Sequence, residues 1–330
     1  MSVVLGSGEY TYRAHDGQWG DLPEGWELID VAGVAVDDQD RVFVFNRGAH
    51  PVIVLDRDGR FLGSWGEGIF TRAHGIHRGP DSNLYLTDEG DHTVRACTPE
   101  GEVLLEIGVA GRPASFMSGE PFHRCTHTAL SPHGDIYVSD GYGNARIHKF
   151  APDGTHLLSW GASGVGEGEF SLPHNIACDA DGWVYVADRE NHRIQIFDGD
   201  GRFETQWHAV HRPSAFHLTG GPDPLCYVGE IGTPLDFQRG APNLGPRVSI
   251  FTPGGELRAR LGREPNLGTG AGQFISPHGL CVDSHGDIYV GEVSHTGWPN
   301  VFGSDRPRPQ PLRALQKLVK AGPPNAKESS

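Results

Sequence analysis

Three histidines in this sequence occupy the same position of a repeated motif and could together bind a metal ion. The motif opens with a short apolar segment, as in PHNIACDADGWVYVAD, and one position near its start can be compared in every copy. Three neutral imidazoles with a fourth coordination position left open are the ligands of a catalytic zinc site. Imidazole also binds iron, copper or nickel, so the pattern indicates a divalent metal but does not identify it. Histidine and small residues alternate at this position, which reads Ala32, His74, Thr126, His174, Ser214 and His278.

A single Pro-His pair more often marks a turn whose imidazole bonds to a backbone carbonyl than it marks a metal ligand. Strict alternation of three such histidines with small residues favours the metal site. The remaining histidines share no register, and we expect them at the surface or the rim. Among them, His50 and His127 are candidates to orient the ligands, because metal ligands need hydrogen-bonding partners.

Arg47 and Tyr142 could act beside this metal. The loop after the second strand of each copy should reach the same face as the histidines, because antiparallel neighbours run in opposite directions; it carries Arg47 in the first copy and Tyr142 in the third. A guanidinium beside a cation indicates an anion between them, such as a substrate carboxylate. A tyrosine near a divalent metal can serve as a general base. The alternatives are an ion pair of Arg47 at the rim and a Tyr142 ring packed on its glycine-rich loop.

The repeat itself predicts the elements that position these residues. A period of roughly 40 to 50 residues is typical of propeller blades. Each copy alternates β-branched or aromatic residues with polar ones between Asp-Gly turns, which indicates strands and hairpins. Four strands per copy predict an all-β, six-bladed β-propeller, in which alternate blades bring the three histidines to one height in the central channel. The copies run at about 25–66, 67–108, 119–161, 167–207, 208–262 and from 272 onward.

The two ends of the chain should close the ring. The sixth copy stops after its second strand, so LQKLVK (315–320) supplies a third strand and GEYTYRAH (8–15) the fourth. A helix over RALQKLVK is the alternative, because the segment contains good helix formers. We expect one domain over residues 1–320 and a flexible tail over 321–330. The Pro- and Gly-rich loops 231–246 and 293–312 should wall the pocket.

Charge and composition restrict the partners. A formal charge of −15 disfavours nucleic acid. Neither a membrane-spanning apolar segment nor a secretory signal is visible, so we expect a cytoplasmic protein without a membrane partner. The five cysteines are scattered and never form a CxxC pair, which indicates reduced core thiols. Because Arg47 beside the metal indicates an anion, we expect a small carboxylate-bearing substrate. The oligomeric state is not predicted.

On these motifs the chain resembles the catalytic core of peptidyl-α-hydroxyglycine α-amidating lyase, a six-bladed propeller of NHL-type repeats. The resemblance covers nearly the whole chain and includes VAGVAVDDQDRVFVFNRGAH, YVSDGYGNARIHKF, FSLPHNIACDADGWVYVADRENHRIQIF and FISPHGLCVDSHGDIYVGEV. It implies a structural calcium held partly by main-chain carbonyls that match Val34 and Ile76. It also implies a role for five side chains, with His74, His174 and His278 as zinc ligands and Arg47 and Tyr142 as the catalytic arginine and tyrosine.

The chain departs from this family at several positions. Gly279 stands directly after the third histidine, where the family has an acidic calcium ligand, and this argues against calcium. The disulfide that ties the tyrosine loop in the family's secreted animal enzyme is absent: Cys125 lies near one half, but Gly143 replaces the other cysteine. Ser276 replaces a methionine of the family two residues before the third histidine.

The residues and the resemblance together predict a metal-dependent lyase that uses Zn²⁺, or else Fe²⁺ or another divalent ion. Its substrate would be a small α-hydroxy acid derivative of the N-acyl-α-hydroxyglycine type, cleaved at the carbon–nitrogen bond to glyoxylate and an amide. Two alternatives stay open. One is a hydrolase or lactonase in which the same metal activates water, and the other is a non-catalytic NHL-repeat scaffold that binds partners.

Overall fold

Six small antiparallel sheets form a ring, which is the six-bladed β-propeller that the repeat predicts. The structure, a computed structural model, describes residues 2–322 of the chain. Five sheets have four strands and the sixth has five. The first strand of each sheet contacts the first strand of the next, so these six strands surround the central channel.

Most of the regular structure is β-strand. Two strands and a 3-10 turn come first in the chain, namely β1 (Ser2–Leu5), Gly8–Tyr10 and β2 (Thr11–His15). The first two blades consist of β3 (Val31–Val36), β4 (Val42–Asn46), β5 (Val52–Leu55), β6 (Phe61–Trp65), β7 (Ala73–Arg78), β8 (Leu84–Asp88), β9 (Thr93–Cys97) and β10 (Val103–Ile107). The third and fourth consist of β11 (His127–Leu130), β12 (Ile136–Asp140), β13 (Arg146–Phe150), β14 (His156–Trp160), β15 (Pro173–Cys178), β16 (Val184–Asp188), a 3-10 turn (Arg189–Asn191), β17 (Arg193–Phe197) and β18 (Phe203–Trp207). The last two contain β19 (Pro213–Leu218), β20 (Cys226–Glu230), a 3-10 turn (Asp236–Gln238), β21 (Arg247–Phe251), β22 (Leu257–Leu261), β23 (Pro277–Val282), β24 (Ile288–Glu292), α1 (Ser294–Phe302) and β25 (Leu315–Ala321).

Hydrophobic cores lie between neighbouring blades. Phe43 and Phe45 of the first blade, for example, pack against Leu84 and Leu86 of the second. The second strand of every blade is buried along its whole length, because a neighbouring blade covers each of its faces. The fourth strands of the first five blades lie at the outer edge of the disc and are mostly exposed or half-buried.

The ring closes through the sixth blade, as the sequence predicts. β25 pairs with β24 on one side and with β2 on the other, so the helix considered for this segment is wrong. An additional strand that was not predicted, β1, pairs with β2 at the outer edge. Ala321, the first residue of the expected tail, is the last residue of β25. Residues 323–330 of that tail lie outside the described residues.

The two long loops lie on the face of the disc at which the first strands begin. The second of them contains a short helix, α1, which the sequence does not predict. An Arg239 guanidinium nitrogen donates to the carbonyl oxygen of Asn300, so the two loops contact each other. The backbone N–H groups of His295 and Thr296, at the start of α1, donate to the Asp30 carboxylate at distances of 2.8 and 3.2 Å. These contacts attach the loops to the entrance of the channel.

Candidate metal centre

Each of the three aligned histidines is the second residue of the innermost strand of its blade. His74 lies in β7, His174 in β15 and His278 in β23. In all three strands the pairing with the second strand skips the histidine; in β15, for example, the register shifts between Pro173 and Asn175. Such a bulge leaves one residue unpaired and changes the direction of its side chain. The bulge therefore frees each imidazole to point into the channel.

The three imidazoles meet on the channel axis. One nitrogen of each ring lies within 4.8 Å of the corresponding nitrogens of the other two. The ring centroids are 4.6, 4.7 and 4.9 Å apart, and no ring is more than 6% exposed. Within residues 2–322, no other set of three or more His, Cys, Asp or Glu side chains converges this closely. Alternate blades thus bring together His74, His174 and His278.

The small residues of the intervening blades orient these rings. The Nδ1–H of His74 donates to the Thr126 carbonyl at 2.6 Å, and His174 and His278 make the same bond to the next blade at 2.7 Å. A donor at Nδ1 leaves the Nε2 lone pair free to bind a metal. The carbonyls that accept these bonds belong to Thr126, Ser214 and Ala32, the residues that alternate with the histidines in sequence.

The electrostatic environment keeps the three imidazoles neutral. Burial lowers the pKa of each well below its ordinary value of 6.5. The positive charge of Arg47 lowers the pKa of His74 further, and that of Arg189 does so for His174. Neutral imidazoles are the form that binds metal ions. Both the geometry and the protonation state of this cluster therefore fit a divalent cation.

Tyr142 closes one side of the cluster. Its hydroxyl oxygen lies 3.1 Å from Nε2 of His74 and 3.1 Å from Nε2 of His174. The residue follows β12 in a loop on the face where the first strands begin, as the sequence predicts. The alternative, a Tyr142 ring packed on its glycine-rich loop away from the histidines, does not match these distances. The structure therefore places a titratable hydroxyl beside the candidate metal position.

Arg47 lies at the entrance of the same site. Its Nε donates to the carbonyl of Ala73, the residue before His74, at 2.9 Å. Its two terminal nitrogens lie 3.4 Å from Glu89 and 3.8 Å from Asp30. Only 9% of the side chain is exposed, and burial lowers the pKa of the guanidinium below its usual value. The ion pairs that were considered as an alternative to substrate binding are thus present, but they are made at the site.

Arg189 also lies at the site and was not predicted from the sequence, although a signal for it exists. It is the first residue after β16, just as Arg47 is the first residue after β4. Its Nε donates to Glu190 at 2.8 Å, and its charge lowers the pKa of all three histidines in the cluster. A comparison of the loops after the second strands, in the register used for the histidines, would have identified it.

The entrance of the site carries more positive than negative charge. Glu89 binds Arg72 at 2.5 Å and Arg124 at 2.6 Å, while Glu190 binds Arg212 at 2.7 Å. Within this network of ion pairs, five guanidinium groups contact three carboxylates. An anionic ligand is therefore favoured here. The groups are Arg47, Arg72, Arg124, Arg189 and Arg212, with Asp30, Glu89 and Glu190.

The two candidate orienting histidines do not contact the ligands. His50 stacks on Trp26 at a centroid distance of 3.2 Å and bonds to Glu67. His127 donates from Nδ1 to the carbonyl of Thr128, deeper in the channel. Backbone carbonyls orient the cluster instead. The expectation that the other histidines lie at the surface is wrong for His148, which is fully buried and bonds to Ser159 at 2.7 Å.

The channel below the cluster does not fit calcium. Val34 and Ile76, whose carbonyls the resemblance assigns to calcium, line a cavity of 220 Å³ there. No aspartate or glutamate of the described chain lines this cavity, whereas His77, His127 and His217 do. Calcium takes six to eight oxygen ligands, usually with carboxylates among them. A side chain at Gly279 would also clash with the backbone of Gly33, so that position cannot provide an acid without rearrangement.

The cysteines provide neither a metal site nor a covalent tie. All five are free, and four of them are buried. Burial raises the pKa of the Cys125 thiol well above its usual value, so the group stays protonated at neutral pH. The tyrosine loop is therefore held without a disulfide. In the described chain no helix combines the length and the apolar character needed to span a bilayer.

The chain is similar in sequence to an α-amidating lyase and to α-amidating monooxygenases. A family model described as NHL repeat matches residues 170–197. Peptidyl-alpha-hydroxyglycine alpha-amidating lyase 1 of Drosophila melanogaster is 34% identical over 263 residues, which cover 72% of this chain and 45% of that protein. Peptidyl-glycine alpha-amidating monooxygenase of Mus musculus is 32% identical over 311 residues, which cover 81% of this chain and 30% of that protein. The chain spans about a third of the length of the monooxygenases it matches.

Solved structures share the fold at lower identity. Virginiamycin B lyase from Staphylococcus aureus, solved as an inactive variant with quinupristin, superposes with a TM-score of 0.56 and 17% identity. The superposition covers 82% of this chain and 80% of that one. At this identity the likeness supports the six-bladed architecture alone.

Proposed function

We propose that the chain is a metal-dependent carbon–nitrogen lyase, as the name of the similar peptidyl-alpha-hydroxyglycine alpha-amidating lyase 1 suggests. The substrate is an N-acyl-α-hydroxyglycine or a related small α-hydroxy acid derivative, and the products are glyoxylate and an amide. The observation that carries the proposal is the convergence of three neutral imidazoles with the hydroxyl of Tyr142, 3.1 Å from two of them.

His74, His174 and His278 hold the metal through Nε2. Zinc is the first choice, because three neutral imidazoles with an open position are its usual catalytic ligand set, and Fe²⁺ or another divalent ion is the alternative. When bound, the ion supplies Lewis acidity to the oxygen atoms of the substrate. The backbone carbonyls that fix Nδ1 of each ring keep the lone pairs directed toward one point.

Arg47 and Arg189 bind the substrate carboxylate. Both lie in the loops that follow second strands, and both act electrostatically on the histidine cluster. A guanidinium can donate two parallel hydrogen bonds to a carboxylate, which fixes orientation as well as position. The excess of guanidinium groups at the entrance also attracts an anionic substrate toward the channel.

Tyr142 transfers the proton. In its ionised form the phenol oxygen takes the proton of the substrate hydroxyl, and the electron pair of that O–H bond forms the new carbonyl. The carbon–nitrogen bond then breaks, its electron pair goes to nitrogen, and Tyr142 returns the proton to the departing amide. The atoms balance without water, oxidant or reductant, so one substrate yields one glyoxylate and one amide.

The test combines elemental analysis of the purified protein with a screen of α-hydroxyglycine derivatives for glyoxylate release. We expect about one divalent ion per chain and glyoxylate that contains no oxygen from H₂¹⁸O when it is analysed before exchange. Incorporation of solvent oxygen into the product would instead identify a hydrolase. A metal-free protein that binds other proteins through this face would identify a scaffold.

A further inference from the structure

Hydrogen bonds hold the backbone of the loop that carries Tyr142, from Gly143 to the His123 carbonyl at 2.9 Å and from Met117 to the Gly143 carbonyl at 2.7 Å, but they do not fix the phenol ring. Glycines flank the tyrosine on both sides, and a side chain on either would clash, Gly141 with Pro173 and Gly143 with His123. In the described chain, the hydrogen-bond partners of the phenol are Nε2 of two cluster histidines. A metal bound to these nitrogens would occupy the lone pairs that accept the hydrogen bonds. The ring therefore needs another anchor when the site is loaded.

Arg124 provides the closer of two such contacts, because the guanidinium carbon of Arg189 also lies over the ring but 5.9 Å from its centroid. The guanidinium carbon of Arg124 lies 4.7 Å from the centroid of the Tyr142 ring, within the range of a cation–π contact. The same guanidinium donates from Nε and Nη2 to one oxygen of Glu89, at 3.0 and 2.6 Å. Glu89 is only 1% exposed and is also bound by Arg72. The edge of the guanidinium is thus fixed on a buried carboxylate, and its face lies over the tyrosine ring.

The charge state of Glu89 supports this role. Burial would raise the pKa of its carboxyl group, but hydrogen bonds from Arg124 and Arg72 outweigh burial, and the pKa is lowered overall. The carboxylate therefore stays ionised at neutral pH and holds the guanidinium by charge-assisted hydrogen bonds.

The backbone of Arg124 is strained in a way that a glycine would relieve. Its φ angle is 62°, in the left-handed region that non-glycine residues rarely adopt, and its N–H donates to Nδ1 of His92 at 3.0 Å. Arg212 repeats this arrangement two blades further on, with φ of 48° and a bond of 3.3 Å to His192. Within residues 2–322, Arg212 has no aromatic ring under its guanidinium. Leu172, at the corresponding position of the fourth blade, has φ of 71°, so this conformation belongs to the repeat and the role of Arg124 rests on its side-chain contacts.

We propose that Arg124, fixed by Glu89, is the positioning residue of Tyr142. Its guanidinium covers the ring and holds the phenol oxygen toward the three imidazoles when the metal occupies their lone pairs. The contact stands on its own, while its kinetic consequence rests on the lyase proposed above. Because Arg124 acts mainly through the tyrosine, its loss should lower kcat by a larger factor than the rise in KM that follows from removing one positive charge at the entrance.

The kinetic test is a double-mutant cycle with Arg124→Ala and Tyr142→Phe. We expect Arg124→Ala to lower kcat roughly ten- to hundredfold, the scale of a small misplacement of a reacting group, with unchanged metal content. Arg124→Lys should restore only part of this loss, because an ammonium neither stacks as a plane nor pairs with Glu89 as a fork. In the Tyr142→Phe background, Arg124→Ala should cause no further loss. If the two substitutions lower kcat independently, so that their factors multiply in the double variant, the proposal is overturned. A rise in KM with kcat unchanged in Arg124→Ala would overturn it as well.

A second measurement does not depend on activity. Tetranitromethane nitrates accessible tyrosine rings, and peptide mass analysis reports the rate at Tyr142 alone. We expect Arg124→Ala and Glu89→Gln to raise this rate several-fold in folded protein, and Arg212→Ala to leave it unchanged. Equal rates in wild type and Arg124→Ala would contradict the positioning role even if glyoxylate is released. Faster nitration without any glyoxylate release would retain the contact and reject the lyase.

Arg112→Ala is the control for the kinetic arm, because this exposed arginine lies on the same loop between β10 and β11. It should leave kcat and KM at wild-type values. The side chain of Arg124 is 45% exposed, so its replacement leaves the core intact and the variant should fold.

Discussion

At the scale of residues, different blades provide the different groups of the site. The histidines come from the second, fourth and sixth blades, the tyrosine from the third, and the two arginines proposed to bind the carboxylate from the first and fourth. Each role has a separate readout: metal content for the histidines, kcat for Tyr142 and KM for the arginines. The following two predictions use this separation.

Replacing Tyr142 with phenylalanine should lower kcat by about 10² to 10⁴, the usual contribution of a general base. Metal content should stay at the wild-type value, because the three imidazoles are fixed by backbone carbonyls and not by the phenol. Steady-state kinetics and elemental analysis of the same preparation check both parts. Full activity in Tyr142→Phe would remove the tyrosine from the role of base.

Replacing Arg189 with glutamine should raise KM by about ten- to hundredfold, because a charge-assisted hydrogen bond contributes about 1.5–3 kcal/mol. The effect should be smaller for a substrate analogue in which an amide replaces the carboxylate. Initial rates with both substrates give the comparison. If Arg189→Gln raises KM by the same factor for both substrates, Arg189 does not bind the carboxylate.

At the scale of elements, the bulge at the start of the inner strands is the feature that makes the cluster. It also occurs in β3 and β19, where the skipped residues are Ala32 and Ser214. One local backbone irregularity therefore provides ligands in three blades and, in two others, the carbonyls that orient them. The ring must be closed for these blades to keep their spacing, and β2 closes it.

Replacing Tyr12 with alanine should reduce the free energy of unfolding by about 3–5 kcal/mol, the usual cost of removing a buried aromatic side chain. Tyr12 is fully buried where β2 joins the core of the fifth and sixth blades. Val4→Ala in the neighbouring β1 is the matched control, because Val4 is 57% exposed, and it should cost less than about 1 kcal/mol. Urea unfolding of both variants gives the comparison. Equal effects would mean that β2 does not contribute to closure.

At the scale of the whole molecule, the central channel has two histidine-lined levels with different properties. The histidines of the upper level, His74, His174 and His278, converge on a point. Those of the lower level, His77, His127 and His217, line a cavity that has no carboxylate in its described lining. Burial lowers the pKa of His77 to about 3 and those of His127 and His217 to about 4. These groups couple the stability of the ring to pH, and their described surroundings offer no carboxylate to calcium.

Stability should fall as the pH drops from 6.5 toward 4. In this window the unfolded chain protonates its histidines while the folded channel keeps His77, His127 and His217 neutral, so the unfolded state binds more protons and acid favours it. Urea unfolding across this range measures the slope. His217→Gln, which removes one of these groups, should make the slope shallower. An unchanged slope would show that His217 titrates alike in both states.

Calcium should not stabilise the protein. The lower cavity offers imidazoles and thiols where calcium needs several oxygen ligands, including carboxylates. Thermal unfolding in the presence of calcium and in the presence of a calcium-selective chelator should give the same Tm. A saturable increase of several degrees with calcium would contradict this expectation.

The sequence by itself determined the blade architecture and the identity of the cluster. Both follow from repeat register: a residue at one position of every copy must appear at one height of the ring, so the alternation of His74, His174 and His278 with small residues already implies a meeting point. Loop register also brought Arg47 and Tyr142 to the same face.

Only the tertiary structure decided which charged groups serve the site and how they are held. Arg124 is fixed by Glu89 of the preceding blade at a separation of 35 residues, which follows no repeat offset, although Arg47 and Glu89 themselves occupy equivalent positions of neighbouring copies. The helix α1 and the strand β1 have no counterparts in other copies, so no comparison between copies could predict them. Register is a property of the chain, whereas ion pairs depend on distances that exist only once the blades are packed.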